Sequence, residues 1–414
     1  MKEVKRTLLI FFISFVFLAS NLYATTLFSG FAGGKLNMAA GEKTEEKKFN
    51  PDLTLQAFFA GQFNFTQNMW SHVEFSLDTK NLITENIFEQ TDSKFQIDEL
   101  SWILRSNLED STNYFSVFMG TYDPIGSDLF LQRYFGIEPI SSKLTNSYLG
   151  LAGSILYPHF GIGISDVVKF YAKPISIGGY AYFNHEERIE NKESYYVFNT
   201  DLRFACVLPY FTCDIAGGLG FPLSDKEKYK DQDLIIAIDK LYWHMGATML
   251  IGNNYTNSLF IQAGLYNASF TGKKGSFDWA SENIYFLFEP RFGFGNFHLN
   301  FSLYSLPSAT REKLLFVDDA LGLDVNFFGE DVLIGPQNFT MGTHLSVSIR
   351  DKTLKDFQDI KNIMSNGVNI NLTPYVTTEF LSGELHAQAN IKFMEFGRNL
   401  SDVFSLDFGY RTRF

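Results

Sequence analysis

Apolar and polar residues alternate one for one along much of this chain. The clearest run is residues 404–414, where the even positions are Phe404, Leu406, Phe408, Tyr410, Thr412 and Phe414. Among the odd positions from Val403 to Arg413 only Val403 is apolar. A period of two describes a strand with one apolar face and one polar face. A hairpin follows the same rule over residues 284–303. Ile284, Phe286, Phe288, Pro290, Phe292 and Phe294 share a face, Gly295 and Asn296 signal a two-residue turn, and Phe297, Leu299, Phe301 and Leu303 carry the face back. The change of parity is what such a turn demands, with Phe294 opposite Phe297. The other face carries Tyr285, Glu289, Arg291, His298, Asn300, Ser302 and Tyr304. Pro290 lacks an N–H for a ladder and is expected to mark a bulge.

The alternation recurs over residues 53–65, 241–251, 339–349 and 368–380. Long polar stretches near 38–50, 80–93, 122–146, 184–194, 222–233, 271–280, 306–318 and 351–366 alternate with short ones. The short ones lie near Gln67, 108–111, 158–159, 209–210, 253–256, 295–296, 329–337 and 381–383. This predicts an all-β fold: a transmembrane antiparallel up-and-down β-barrel with long external loops and short periplasmic turns. The count is about 18 strands, or 16 if a weak pair near the N-terminus is dropped. It takes residues 160–184 as one long or irregular strand. A β-sandwich does not supply so many strands in one domain, and there is no repeat of ~40 residues to suggest a propeller. Leu354, Phe357 and Met364, at helical spacing, predict a short amphipathic helix in the loop at 351–364.

The N-terminus adds a location. Lys2, Lys5 and Arg6 precede an apolar run from Leu8 to Ala19, and Ala24 ends a cleavage-like stretch. Residues 1–24 read as a secretory signal peptide, leaving 25–414 as a single barrel domain. The formal charge of the whole chain is −12. Removing 1–24 takes away three basic residues and one acid, which gives −14. Mean hydropathy is −0.05, yet 17% of residues are aromatic. That combination suits a lipid face with aromatic girdles around a polar lumen. The acidic balance argues against nucleic acid as a partner.

A final strand ending on Phe414, behind a signal-like N-terminus, resembles the bacterial outer-membrane β-barrel proteins, and the porins among them, at the level of the superfamily. The resemblance implies a bacterial outer-membrane location in lipid. It implies that Phe404, Leu406, Phe408, Tyr410 and Phe414 form the signal read by the barrel assembly machinery, and that the last strand closes on the first. It also implies a possible homotrimer, and a loop between strands five and six that folds into the lumen. Here that loop falls at 122–146, and Asp123, Asp128, Arg133 and Glu138 are its candidate constriction residues. The alternative is a loop packed outside the pore.

Strand parity assigns charges to the lumen: Glu74, Asp78, Glu99, Asp201, Asp214, Glu289, Asp324, Glu379 and Asp407, against Arg105, Arg203, Arg291, Arg350, Lys392 and Arg411. Nine acids against six bases predict a weak cation preference. Asp201 with Arg203, and Glu289 with Arg291, are candidate wall ion pairs. A turn at 209–210 sets Cys206 opposite Cys213, so a disulfide and two lipid-facing thiols both remain open. The seven histidines form no metal-ligand spacing, and no Gly-x-Ser-x-Gly turn occurs. No metal, cofactor or enzymatic activity is expected. The function expected is a diffusion pore for small hydrophilic solutes. The alternatives are an adhesin or structural barrel with a plugged lumen, and a channel for apolar solutes like the fatty-acid transporters. A strand-like start at Leu27, with no N-terminal plug, counts against the last of these.

Overall fold

The computed structural model describes residues 27–40, 51–83, 94–124, 129–137, 140–144, 161–187, 194–223, 240–253, 256–271, 276–278, 284–306, 317, 319–350, 367–396 and 403–414. Their strands form one sheet of nineteen. Eighteen form the wall: β1 (Leu27–Ala40), β2 (Pro51–Thr66), β3 (Met69–Asp78), β4 (Lys94–Asn107), β5 (Ser111–Gly120), β6 (Gly161–Phe170), β7 (Ile175–Glu187), β8 (Ser194–Leu208), β9 (Phe211–Pro222), β10 (Lys240–Gly252), β11 (Ser258–Thr271), β12 (Ile284–Phe294), β13 (Phe297–Ser305), β14 (Leu321–Ile334), β15 (Gln337–Ile349), β16 (Val368–Phe380), β17 (Gly383–Lys392) and β18 (Phe404–Arg413). The nineteenth, Ser276–Asp278, only extends the far end of β11.

Each wall strand pairs antiparallel with its neighbours in sequence, and β1 pairs with both β2 and β18. The ladder therefore has no free edge. Closure of this kind lets the wall satisfy its backbone groups internally, a requirement for crossing lipid. Strand lengths of 9 to 16 residues meet the ~9–11 residues a tilted strand needs to span a bilayer. Apolar side chains such as Ile164, Leu202, Phe292, Phe327, Leu345 and Phe408 are exposed on the outer face. Ser101, Ser116, Gln262, Asn300, Asn371 and Asn390 are buried on the inner one. This is a transmembrane barrel of eighteen strands, as the alternation predicts. Among the described residues no helix is long and apolar enough to cross a membrane.

Two local expectations are corrected. Residues 161–187 are a hairpin, with β6 and β7 joined across 171–174. The up-and-down order survives because β5 pairs antiparallel with β6; residues 158–159 lie outside the described set. Pro290 causes no bulge. The β12–β13 register is the same before and after it, Phe288 with Leu303 and Arg291 with Asn300, and the ladder has a local gap at 289–290. A bulge does occur in β14 between Gly329 and Val332, where Asp331 adopts a positive φ of 55°. The connection expected at 329–337 thereby shrinks to a turn at 335–336. The predicted helix at 351–364 and the signal peptide at 1–24 lie outside the described residues.

Candidate functional site

The long connection after β5 turns into the lumen at once. Gly120 has φ +117°, and a Cβ there would lie 2.3 Å from the Asp98 carbonyl oxygen, so only glycine fits. Thr121 N–H donates to that carbonyl at 2.7 Å, and Asp123 follows with φ 43°. A short helix, α1 (Leu129–Phe135), comes next. Its Phe130, Leu131 and Tyr134 are buried against inner-wall residues that include Ile103, Phe118, Val167, Tyr180 and Tyr182.

Two polar anchors hold this loop. At the first, Arg133 donates through Nη2 to both oxygens of Glu99 on β4, at 2.7 and 2.9 Å. Its Nη1 donates to Asp123. Tyr134 and Tyr180 donate to the other Asp123 oxygen at 3.2 and 3.0 Å. Arg203 on β8 donates to the Asp123 carbonyl at 2.7 Å and stacks over Phe130 at 4.3 Å. At the second anchor, Glu289 on β12 accepts from Ser142 Oγ at 2.6 Å and Lys143 N at 3.0 Å. Arg291 donates to the Ser141 carbonyl at 2.8 Å. Seven strands of the closed order lie between β4 and β12, so the loop reaches from one wall almost to the opposite one.

Burial sets the electrostatics of the loop. It pushes the Asp123 carboxyl above its ordinary range, and Arg133 and Arg203 pull back only in part. It pushes the Tyr122 hydroxyl up to about 12, helped by the neighbouring Asp123 charge. Burial works against the Arg133 guanidinium, but the Glu99 and Asp123 carboxylates outweigh it and hold the group well above its usual value.

Of the charges assigned to the wall by parity, Glu74, Glu99, Asp201, Arg203, Asp214, Glu289, Arg291, Asp324 and Asp407 are buried, and Arg350 lies just beyond the end of β15. Glu74 and Glu99 oppose each other across β3 and β4. Arg203 pairs with Asp214 across β8 and β9. Asp201 takes His244 at 3.1 Å and Tyr182 at 3.0 Å as cross-strand partners. The expected Glu289–Arg291 pair is present at 2.8 Å. Asp324 meets His344 at 2.9 Å, Asp407 meets Lys35 at 3.2 Å, and Arg411 meets Glu384 at 2.8 Å. Arg105 donates to Asn107 and Arg350 to Asn369. Asp78 and Glu379 are exposed at strand ends, and Lys392 is half-buried at the end of β17. Asp128 and Glu138 lie outside the described residues. Cys206 and Cys213 pair in register, yet both thiols are free.

The loop fills one side of the lumen. Most inward residues of β4–β13 are buried; on β1–β3 and β16–β18 Phe58, Glu74, Asn371, Thr373, Asn390 and Asp407 are buried too, but Lys35, Gln56, Gln62, His72, Tyr375, Thr377, His386, Gln388 and Arg411 keep partial exposure. Residues 404–414 seal the wall: Phe404, Leu406 and Phe408 are exposed outward, Tyr410 donates to the Leu381 carbonyl, and Phe414 packs on Phe28. The sequence reading missed the tyrosines that hold Asp123, and it missed His72, whose Nε2 lies 2.7 Å from Glu74. The His-x-Glu step on a lumen-facing strand was a usable signal for the latter.

No family profile and no characterised protein sequence matches the chain. Among solved structures, a mutant porin from Rh. blastica is similar over 94% of this chain and 100% of its own, with 9% identity and a TM-score of 0.44. Salmonella typhi OmpF in complex with daunomycin is similar over 94% and 97%, with 10% identity and a TM-score of 0.39. These likenesses are distant, and the closed barrel rests on its own strand ladder.

Proposed function

We propose that the protein is a porin-like pore of a bacterial outer membrane, through which small hydrophilic solutes diffuse without any reaction. The observation that carries this reading is the inner loop. It is pinned by Arg133 and Glu289 against one half of a polar wall, and the opposite half stays partly exposed. Asp123 and Arg133 then act by holding the constriction in place. Solutes pass along the wall of β1–β3 and β16–β18, selected by size and charge.

The charge preference is for cations and weak. Glu99, Asp214, Glu289 and Asp407 have Arg or Lys partners, whereas the ion-pair partners of Glu74, Asp201 and Asp324 are histidines. Nine wall acids against six bases keep a negative field there. Lipid covers the outer face, the assembly machinery reads the strand ending at Phe414, and three copies associate.

Single-channel conductance of the refolded barrel in a planar bilayer tests the reading. Discrete steps, with a salt-gradient reversal potential of cationic sign, are expected. The deep burial of the β4–β13 inner wall favours a second reading, a filled barrel that works through its loops. A folded barrel that stays electrically silent would select it.

A further inference from the structure

His72, Glu74 and Glu99 place one imidazole nitrogen and two carboxylate oxygens within 4.8 Å of one another on the lumen side of β3 and β4. Glu99 is fully buried and Glu74 nearly so, while the His72 side chain is 19% exposed and opens the group to the lumen. Among the described residues, Glu74 has His72 as its one hydrogen-bond partner. Its second carboxylate oxygen is thus available inside a side chain more than nine-tenths buried.

The charge count points the same way. Glu99 and Asp123 share the guanidinium of Arg133, while Glu74 meets the His72 imidazole, so three carboxyl groups stand against one guanidinium and one imidazole. Arg203 and Asp214 lie alongside, but they pair with each other and do not change the sum. A buried excess of this kind is costly unless something positive joins it. A divalent ion supplies two charges, whereas protons would have to be taken up one by one.

We propose that His72, Glu74 and Glu99 form a binding site for a divalent transition-metal ion on the lumen wall, entered from the open side of the pore. One nitrogen and two oxygen donors suit zinc and its neighbours, with water from the lumen completing the shell. Zinc bonds of ~2.0–2.2 Å require donor separations near ~3.5 Å, within reach of modest rotamer changes from the spacing seen. Arg133 stays on Glu99, because a carboxylate has about four acceptor positions. This assignment departs from the sequence expectation of no metal, since His72 and Glu74 meet Glu99 only across a strand pair.

The test is a titration of the folded full-length barrel with Zn²⁺ alone, read by calorimetry and by competition with a chromogenic chelator. One ion per chain is expected. His72→Ala and Glu74→Gln should each weaken binding at least about tenfold, a loss that outer-shell changes alone already reach. His185→Ala, at an exposed histidine elsewhere on the wall, should leave it unchanged. Binding should also weaken as pH falls, because a proton competes for the imidazole. Heat-modifiable migration of each variant establishes that it folded. A folded wild-type barrel that takes up no Zn²⁺, or variants that bind as well as wild type, would overturn the site. The titration needs no conduction, so a silent barrel that binds zinc would count against the pore reading and leave the metal site standing.

Discussion

Gly30 and Phe414 exchange main-chain hydrogen bonds in both directions, each 3.0 Å long, and so close the wall between β1 and β18. The Phe414 ring stacks on Phe28 with centroids 5.0 Å apart and on Phe59 at 5.8 Å. A Cβ on Gly30 would lie 2.3 Å from the Ala60 carbonyl oxygen and 3.0 Å from the Phe414 ring. Gly30→Val should therefore strain the seam by about 1–3 kcal/mol, the usual range for overpacking. A lower temperature for the shift from folded to unfolded migration in a gel would show it. Phe414→Ala should act in the same direction by removing the ring contact.

Arg133 is the centre of the first anchor. Arg133→Ala would leave Glu99 and Asp123 buried without their cation, at a cost to loop docking of about 3–5 kcal/mol. The expected outcome is a larger single-channel conductance and faster hydrogen exchange over residues 121–137. Arg133→Lys keeps the charge but loses the two-point grip on Glu99, so it should fall between wild type and alanine. Equal conductance in all three would mean that the loop does not narrow the path.

Glu289 should report on the second anchor independently. Glu289→Gln removes the charge facing Arg291 and at least one of the acceptors used by Ser142 and Lys143. Exchange at residues 140–144 should quicken while α1 stays protected. Combined with Arg133→Ala, the effects should add to within ~0.5 kcal/mol, because the anchors share no partner.

Asp123 makes loop docking depend on pH. Glu99, Arg133, Tyr134, Tyr180 and Arg203 face it, and burial is the strongest influence, raising its folded pKa. A raised carboxyl stabilises the docked loop fully below the unfolded value of ~3.9, and that contribution fades as pH rises through the folded value. Relative to Asp123→Asn, wild-type loop protection should improve as pH falls towards that window. Limited proteolysis of both proteins between neutral and mildly acidic pH is the measurement. A difference that does not change with pH would contradict the burial account.

Lys35 lies on the partly exposed wall, 3.2 Å from Asp407. Lys35→Glu should shift the salt-gradient reversal potential further towards cations, because it changes the charge by two in the open path. If the reversal potential does not move, ions do not pass beside β1.

The outer architecture was legible because it depends on local order. In the 284–303 hairpin, the alternation of Phe286, Phe288 and Phe292 with Tyr285, Glu289 and Arg291 sets which face meets lipid. The two-residue turn sets Phe294 opposite Phe297, as the register has it. The hairpin at 161–187 was misread because Gly178, Gly179 and Ala181 blur the contrast between faces in β7. Parity also put Glu99, Arg203 and Glu289 on the inward face, but it could not say what they meet there.

Inside the barrel, the deciding partners are far apart in sequence. Arg133 finds Glu99 34 positions away, and Ser142 finds Glu289 147 positions away. No period in the chain encodes such meetings. The sequence by itself determined the strands, their facing and the up-and-down order, because a two-residue period and short turns act on neighbours. Only the tertiary structure decided where the long loop docks, which acids pair with cations and which with histidines, and that His72, Glu74 and Glu99 converge. Those outcomes follow from closing eighteen strands into a ring, which brings distant side chains into one low-dielectric space where each buried charge must find a partner.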